Sequence, residues 1–188
     1  MTSSGARSNN SVRHRLRAAT EDLHQGLHRH PLLSRLLAAD LTIDELRACA
    51  AVSFAAIEIV EAERARRAIW PELSLADRLS VLRMESDRRN EASLADGGAL
   101  IEGEPELLGA LYVVHGSAIG GGILFKRVGK LFPEVARSVF QPQDPAAWKY
   151  LCTLIESLPE AVVERCVRGA TTLFNYYRKV ADFHTEHV

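Results

Sequence analysis

Apolar residues recur along this chain at steps of three and four from Ser11 to Val180, and no segment alternates with period two over a useful length. Leu16, Thr20, Leu23 and Leu27 mark a first helix, with Ser11 as its N-cap and an end near His30, ahead of Pro31. Pro31 to Ala39 reads as a short helical piece. Thr42 and Glu45 form a capping box that opens a long helix with the apolar face Leu46, Cys49, Ala50, Phe54, Ile57 and Val60, stopping at Trp70-Pro71. Ser74 with Asp77 resembles a weaker box. The helix after it carries Leu75, Leu79 and Leu82 and ends at Asp96-Gly97-Gly98.

A second long helix begins near Glu104, with Pro105 suited to its first turn. Pro133 to Phe140 forms a short helix, and Asp144-Pro145 starts another through Trp148, Leu151, Ile155 and Leu158. The last begins at Pro159 and runs through Val163, Cys166, Ala170, Phe174, Tyr177 and Val180. The pattern predicts an all-α fold, a single-domain multi-helix bundle of six to eight helices with short connections, over residues 11–188. Residues 1–10, rich in Ser, Asn and Gly, read as a disordered tail.

Composition narrows the function classes. A net charge of −1, without a block of like charges, gives no case for nucleic acid. No signal peptide is recognisable, and no uninterrupted apolar segment approaches the ~20 residues of a membrane span. Three cysteines, Cys49, Cys152 and Cys166, are an odd count without paired short spacing, which favours free thiols in a reducing compartment. A cytoplasmic protein without membrane contact is the expectation. Cys49 and Cys166, in apolar helical surroundings, are expected to be buried and inert.

The stretch Leu111–Arg127, LYVVHGSAIGGGILFKR, stands apart. It reads as an apolar helix yet carries Gly116, Gly120, Gly121 and Gly122, at a cost of about 3–4 kcal/mol in helix propensity. Such a helix brings its backbone close to something, either another helix or a flat ligand. The histidines offer the complementary feature. Of the seven, His14 and His30 at the ends of the first helix, and His184 and His187 in the polar C-terminus, are expected to be solvated. His24 adjoins the apolar stripe of the first helix, and His28 lies one turn later. A lone histidine beside an apolar face is more often a packed, hydrogen-bonded residue than a ligand. Zinc spacings, a Glu-x-x-His di-iron pattern, phosphate loops and nucleophile elbows are absent, and Glu58, Glu61 and Glu63 lack partner histidines. Haem is the cofactor that needs one imidazole and a second wall with little side chain. Gly116, Gly120 and Gly121 cluster in one arc of a helix, bordered by Ser117.

Two motifs carry a family resemblance. LRAATEDLHQGLH (Leu16 to His28) and LGALYVVHGSAIGG (Leu108 to Gly121) resemble the proximal and distal helix motifs of haem oxygenases, with the closer likeness to the bacterial branch associated with bacteriophytochromes. GATTLF, ending at Phe174, is similar to that family's C-terminal pattern. The resemblance implies a haem-oxygenase-like bundle in which haem is both cofactor and substrate. It would be opened with O2 and electrons from an external reductase or ferredoxin to biliverdin, iron and carbon monoxide, with a bacteriophytochrome as a possible acceptor of the bilin. His24 would bind the iron. Gly116 and Gly120 would line the distal face, and Gly121 would allow close packing. Ser117 stands where many members have an aspartate that orders water for proton delivery. Arg17 matches a basic position that pairs with a haem propionate, although alone it reads as a solvated helix charge. Lys149 and Tyr112 are weaker propionate candidates, with surface or packing roles as alternatives, and Phe174 would pack on the haem or simply in the core.

The chain departs from the family pattern twice. His28 occupies the place of a carboxylate one turn after the proximal histidine, and His115 replaces an acidic residue before the first distal glycine. His115 is expected at the pocket's edge, with a role as second axial ligand as the alternative. Two other readings remain open: a non-catalytic haem carrier or sensor, and a haem-free bundle of thiaminase-like type.

Overall fold

The capping signals translate directly into helix starts in the computed structural model, which describes residues 11–85, 101–140 and 144–186, the side chains of 119, 120 and 138 excepted. Ser11 Oγ accepts from the His14 amide at 3.2 Å and opens α1 (Val12–His28). The Thr42–Glu45 box is complete in both directions and opens α3 (Ile43–Arg67). Asp144 accepts from the Ala146 amide at 2.8 Å and starts α7 (Pro145–Glu156). Between α1 and α3 lie α2 (Pro31–Ser34) and a 3-10 turn, Arg35–Leu37. A second 3-10 turn, Pro71–Leu73, precedes α4 (Ala76–Glu85), whose expected end at Asp96–Gly98 lies outside the described residues. The remaining helices are α5 (Glu104–Val128), α6 (Pro133–Val139) and α8 (Glu160–Thr185). The described residues are all-helical, without a strand. The expected tail over 1–10 lies outside them.

Three local expectations need correction. First, α3 ends at Arg67 rather than at Trp70, because Ala68 and Trp70 both take left-handed backbone angles (φ 54° and 46°) that no α-helix continues. Second, Ser74 and Asp77 form no box. Ser74 Oγ accepts from the Ala76 amide at 3.3 Å and donates to Glu61 Oε1 at 3.0 Å, while Glu61 Oε2 accepts from the Leu75 amide at 2.9 Å, so Glu61 of α3 takes the part expected of Asp77. Third, α5 does reach the length and apolarity of a membrane span, with a mean hydropathy of 1.6 over its most apolar window. Most of that window is buried in the bundle, as in a core helix.

The architecture is centred on α8, which packs most extensively against α5 and also against α1, α3 and α2. Helix α7 bridges α1 and α5, whereas α1 and α5 do not form a packed pair of their own. The core collects the predicted faces, Leu46, Phe54, Ile57 and Val60 of α3 and Val163, Cys166, Ala170 and Val180 of α8, together with Leu107, Leu111 and Val114 of α5. At the α5–α8 crossing the backbones nearly touch. A Cβ on Gly109 would lie 1.9 Å from the Cys166 carbonyl oxygen, and one on Gly169 would lie 2.0 Å from that of Glu106. Only glycine permits this approach. The crossing is pinned electrostatically by the buried Glu106, which accepts from Arg165 at 2.8 and 2.9 Å and from Arg168 at 3.0 Å. These cations hold the Glu106 pKa below the usual carboxylate value despite burial, the largest opposing influence.

Candidate functional site

His24 lies in the last turns of α1, one turn before His28, and both rings are exposed. The i,i+4 spacing stacks the two imidazoles on one face, with their Nε2 atoms 3.2 Å apart and the rings edge-on at 4.5 Å. Partial burial lowers the His24 pKa, the charge of His28 acts in the same direction, and Glu21 opposes both. A neutral imidazole is the form that can coordinate a metal. Phe174 of α8 also approaches His24, edge-on with ring centres 6.0 Å apart. The fold therefore brings together two residues separated by most of the chain.

On α5, the glycine stretch behaves unlike Gly109. A Cβ on Gly121 or Gly122 would meet nothing within 4 Å, and one on Gly116 would make only ordinary contact with the Trp148 ring, at 3.8 Å. Gly121 is nonetheless buried. Close packing between helices is carried instead by Gly109 and Gly169. The surroundings of Gly120 fall outside the described residues, although its backbone is part of α5.

Ser117 is exposed, and its hydroxyl donates to the Val114 carbonyl at 2.7 Å. Tyr177, a buried residue of α8, lies close enough for Ser117 to lower its pKa slightly against burial. Arg78 of α4 joins this group. One of its terminal amines donates to the Val114 carbonyl at 3.4 Å, while its Nε is buried without a hydrogen-bond partner. Burial pushes the Arg78 pKa down and the Tyr177 pKa up, and the attraction between the two groups opposes both shifts. Sequence reasoning missed Arg78 and Tyr177 as polar neighbours of Ser117. Nothing in the helical pattern distinguishes Arg78 from a solvated arginine.

A cationic corner forms where α1, α5 and α7 meet. Tyr112 is half-buried, its ring 5.5 Å from that of Trp148, and burial raises its pKa against the fields of Arg17 and Arg13. Lys149 and Trp148 line an open cleft of about 620 Å³ together with Arg13, Cys152 and Glu156. The field of Arg17 reaches Tyr112, whereas Lys149 lines the neighbouring cleft; Arg17 itself is largely solvated and pairs with Glu21 at 3.9 Å.

Two histidines depart from expectation. His115 is buried, and its Nε2 donates to the Leu73 carbonyl at 3.4 Å, so it is turned into the bundle rather than set at a pocket's edge. A carbonyl only accepts, so this Nε2 carries the proton and is closed to a metal. His30 is buried rather than solvated. Its Nδ1 accepts from the Leu32 amide at 3.2 Å as the cap of α2, and its Nε2 lies 3.0 Å from Asp182. His14 is exposed as expected, His184 is half-buried against Phe183, and His187 lies outside the described residues.

The remaining polar candidates are structural. Glu61 forms a bidentate pair with Arg64, Glu63 binds Arg66 and Arg67, and Glu58 meets Arg83. The Cys49 and Cys166 thiols are buried and pushed up to about 12, which keeps them protonated. Among the described residues, no group of three or more His, Cys, Asp or Glu side chains could hold a metal ion. No known protein-family profile matches the chain, and no curated protein matches it at a significant level.

Proposed function

We propose that the chain is a haem oxygenase of haem-oxygenase-like fold, holding haem between α1 and α5 and converting it to biliverdin, iron and carbon monoxide with O2 and electrons from an external reductase or ferredoxin. The observation that carries this reading is the glycine stretch of α5. Gly121 is buried in a helix interior, yet a methyl group there would touch nothing among the described residues, so packing of the described helices does not account for the cost of about 1 kcal/mol that such a glycine brings. A thin planar ligand does account for it.

The donor set fits haem. The lowered pKa of His24 favours the neutral imidazole that would ligate the iron, and Phe174 would fix the ring's tilt from α8. Gly116, Gly120 and Gly121 would form the opposite wall and admit only a small ligand beside it. Arg17, Tyr112 and Lys149 would meet the propionates at the cationic corner, where guanidinium and ammonium groups suit carboxylates. Bound haem supplies the redox chemistry that activates O2 and opens its own macrocycle. Ser117, with Tyr177 behind it and Arg78 beside Val114, would order water on the distal side and hand over protons from its hydroxyl oxygen. Supply of the bilin to a bacteriophytochrome is the role that the motif resemblance favours.

Haemin added to the purified protein should give a Soret band that His24→Ala abolishes, and an electron donor under air should then yield a bilin. Absence of the band in the unaltered protein rejects the proposal. A second reading, a haem carrier or sensor, is favoured by Ser117, a neutral group already hydrogen-bonded to the Val114 carbonyl. It predicts a stable band and no bilin. Thiaminase-like chemistry lacks its nucleophile here as far as Cys49 and Cys166 are concerned, since both are buried and protonated.

A further inference from the structure

We infer that His24 and His28 form a chelating site for a divalent late transition metal, and that a metal held there excludes haem from His24. The geometry is already that of a chelate. Metal–imidazole bonds are ~2.0–2.1 Å long, so two Nε2 atoms 3.2 Å apart subtend about 100–105° at a shared ion. That angle lies between the square-planar and tetrahedral values, so the spacing of the two nitrogens suits a shared ion once the rings turn their lone pairs toward it. Both rings are exposed and project from one face of α1, so the ion reaches them from solvent. In the free protein one Nε2–H bonds to the other ring's nitrogen. On metal binding both protons reside on Nδ1, and each Nε2 donates a lone pair with no net change in ligand charge.

The class of ion follows from the donors. Two imidazoles suit copper, nickel and zinc and reject calcium and magnesium, which require oxygen ligands. No third His, Cys, Asp or Glu among the described residues completes the set, so water fills the remaining positions and the ion exchanges readily. The ordering of affinities places Cu(II) ahead of Zn(II). The exclusion of haem rests on the haem reading above, because one Nε2 cannot bind two ions. The chelate itself does not.

The test is calorimetric titration of CuCl2 and ZnCl2 into the full-length, haem-free chain and its His24→Ala, His28→Ala and His14→Ala variants, with circular dichroism to confirm that each variant is folded. One equivalent of Cu(II) should bind more tightly than Zn(II). Affinity should fall by at least about tenfold in each of the His24 and His28 variants and persist in His14→Ala. Unchanged binding by His28→Ala overturns the chelate. Haemin titration with and without saturating Zn(II) then tests exclusion. A weakened Soret titration that His28→Ala restores supports it, and a titration unmoved by Zn(II) overturns it. Metal binding without any Soret band in metal-free protein leaves the chelate standing and rejects the haem reading and, with it, the exclusion.

Discussion

Helix α5 uses glycine in two opposite ways within about 18 Å of its length. At Gly109 the helix gives up a side chain so that α8 can press into its backbone, and Glu106, Arg165 and Arg168 clamp the crossing from the side. At Gly121, three turns on, the same residue type is buried and, among the described residues, nothing presses in. The first arrangement recovers the loss of helix propensity through packing. The second leaves it unrecovered by any described neighbour, and the haem proposed above would recover it. Glycine content alone therefore does not separate a packing helix from a binding helix, whereas the room beside each α-carbon does.

Substitutions divide along the same line. Gly109→Ala should be the most damaging, since its methyl would fall 1.9 Å from a backbone oxygen, and a loss of about 3 kcal/mol or more is expected in urea unfolding. Near-native stability would show that α5 and α8 can separate freely, and would dissolve the contrast. Glu106→Gln should cost about 1–3 kcal/mol at neutral pH, discounted because both arginines are partly solvated. It should also flatten the acid limb. The folded pKa of Glu106 lies below its unfolded value of 4.5, so its contribution is present above that value and is lost as pH falls through the folded pKa. An acid limb identical to that of the unaltered protein would remove Glu106 from the clamp.

At the other end, Gly121→Leu should weaken haemin binding by about tenfold while leaving the unfolding midpoint no lower. Equal loss of both would reassign Gly121 to packing. Smallest of all, Gly121→Ala should raise stability by about 0.5–1 kcal/mol, the ordinary gain at a helix interior with free space. A measured decrease would reveal a neighbour that the structure does not contain.

The sequence made the helices legible because their caps are local. Ser11, Thr42–Glu45 and Asp144 each satisfy amides within three residues, and the buried faces follow from period alone. Apart from the end of α3, set by the local backbone of Ala68 and Trp70, the failures involve partners distant in sequence. Ser74 looked like half of a capping box, but Glu61 takes its hydroxyl. His30 looked solvated, but Asp182 lies 152 positions away in the chain and 3.0 Å away in space. Arg78 looked like any surface arginine until α4, α5 and α8 closed around its Nε. In the candidate site, His24 and the glycines announced themselves by type and spacing, whereas the Tyr177–Arg78 group behind Ser117 exists only through packing.

Phe174 and Tyr177 sit three residues apart on α8, one touching His24 on α1 and the other reaching Ser117 on α5. Since α1 and α5 do not pack as a pair, the gap between them is gauged by that single step, a rise of about 4.5 Å. Helix α8 thus acts as a caliper whose two jaws are side chains. One residue inserted between positions 174 and 177 would swing one jaw by about 100° relative to the other, detuning the gap while every helix stayed intact.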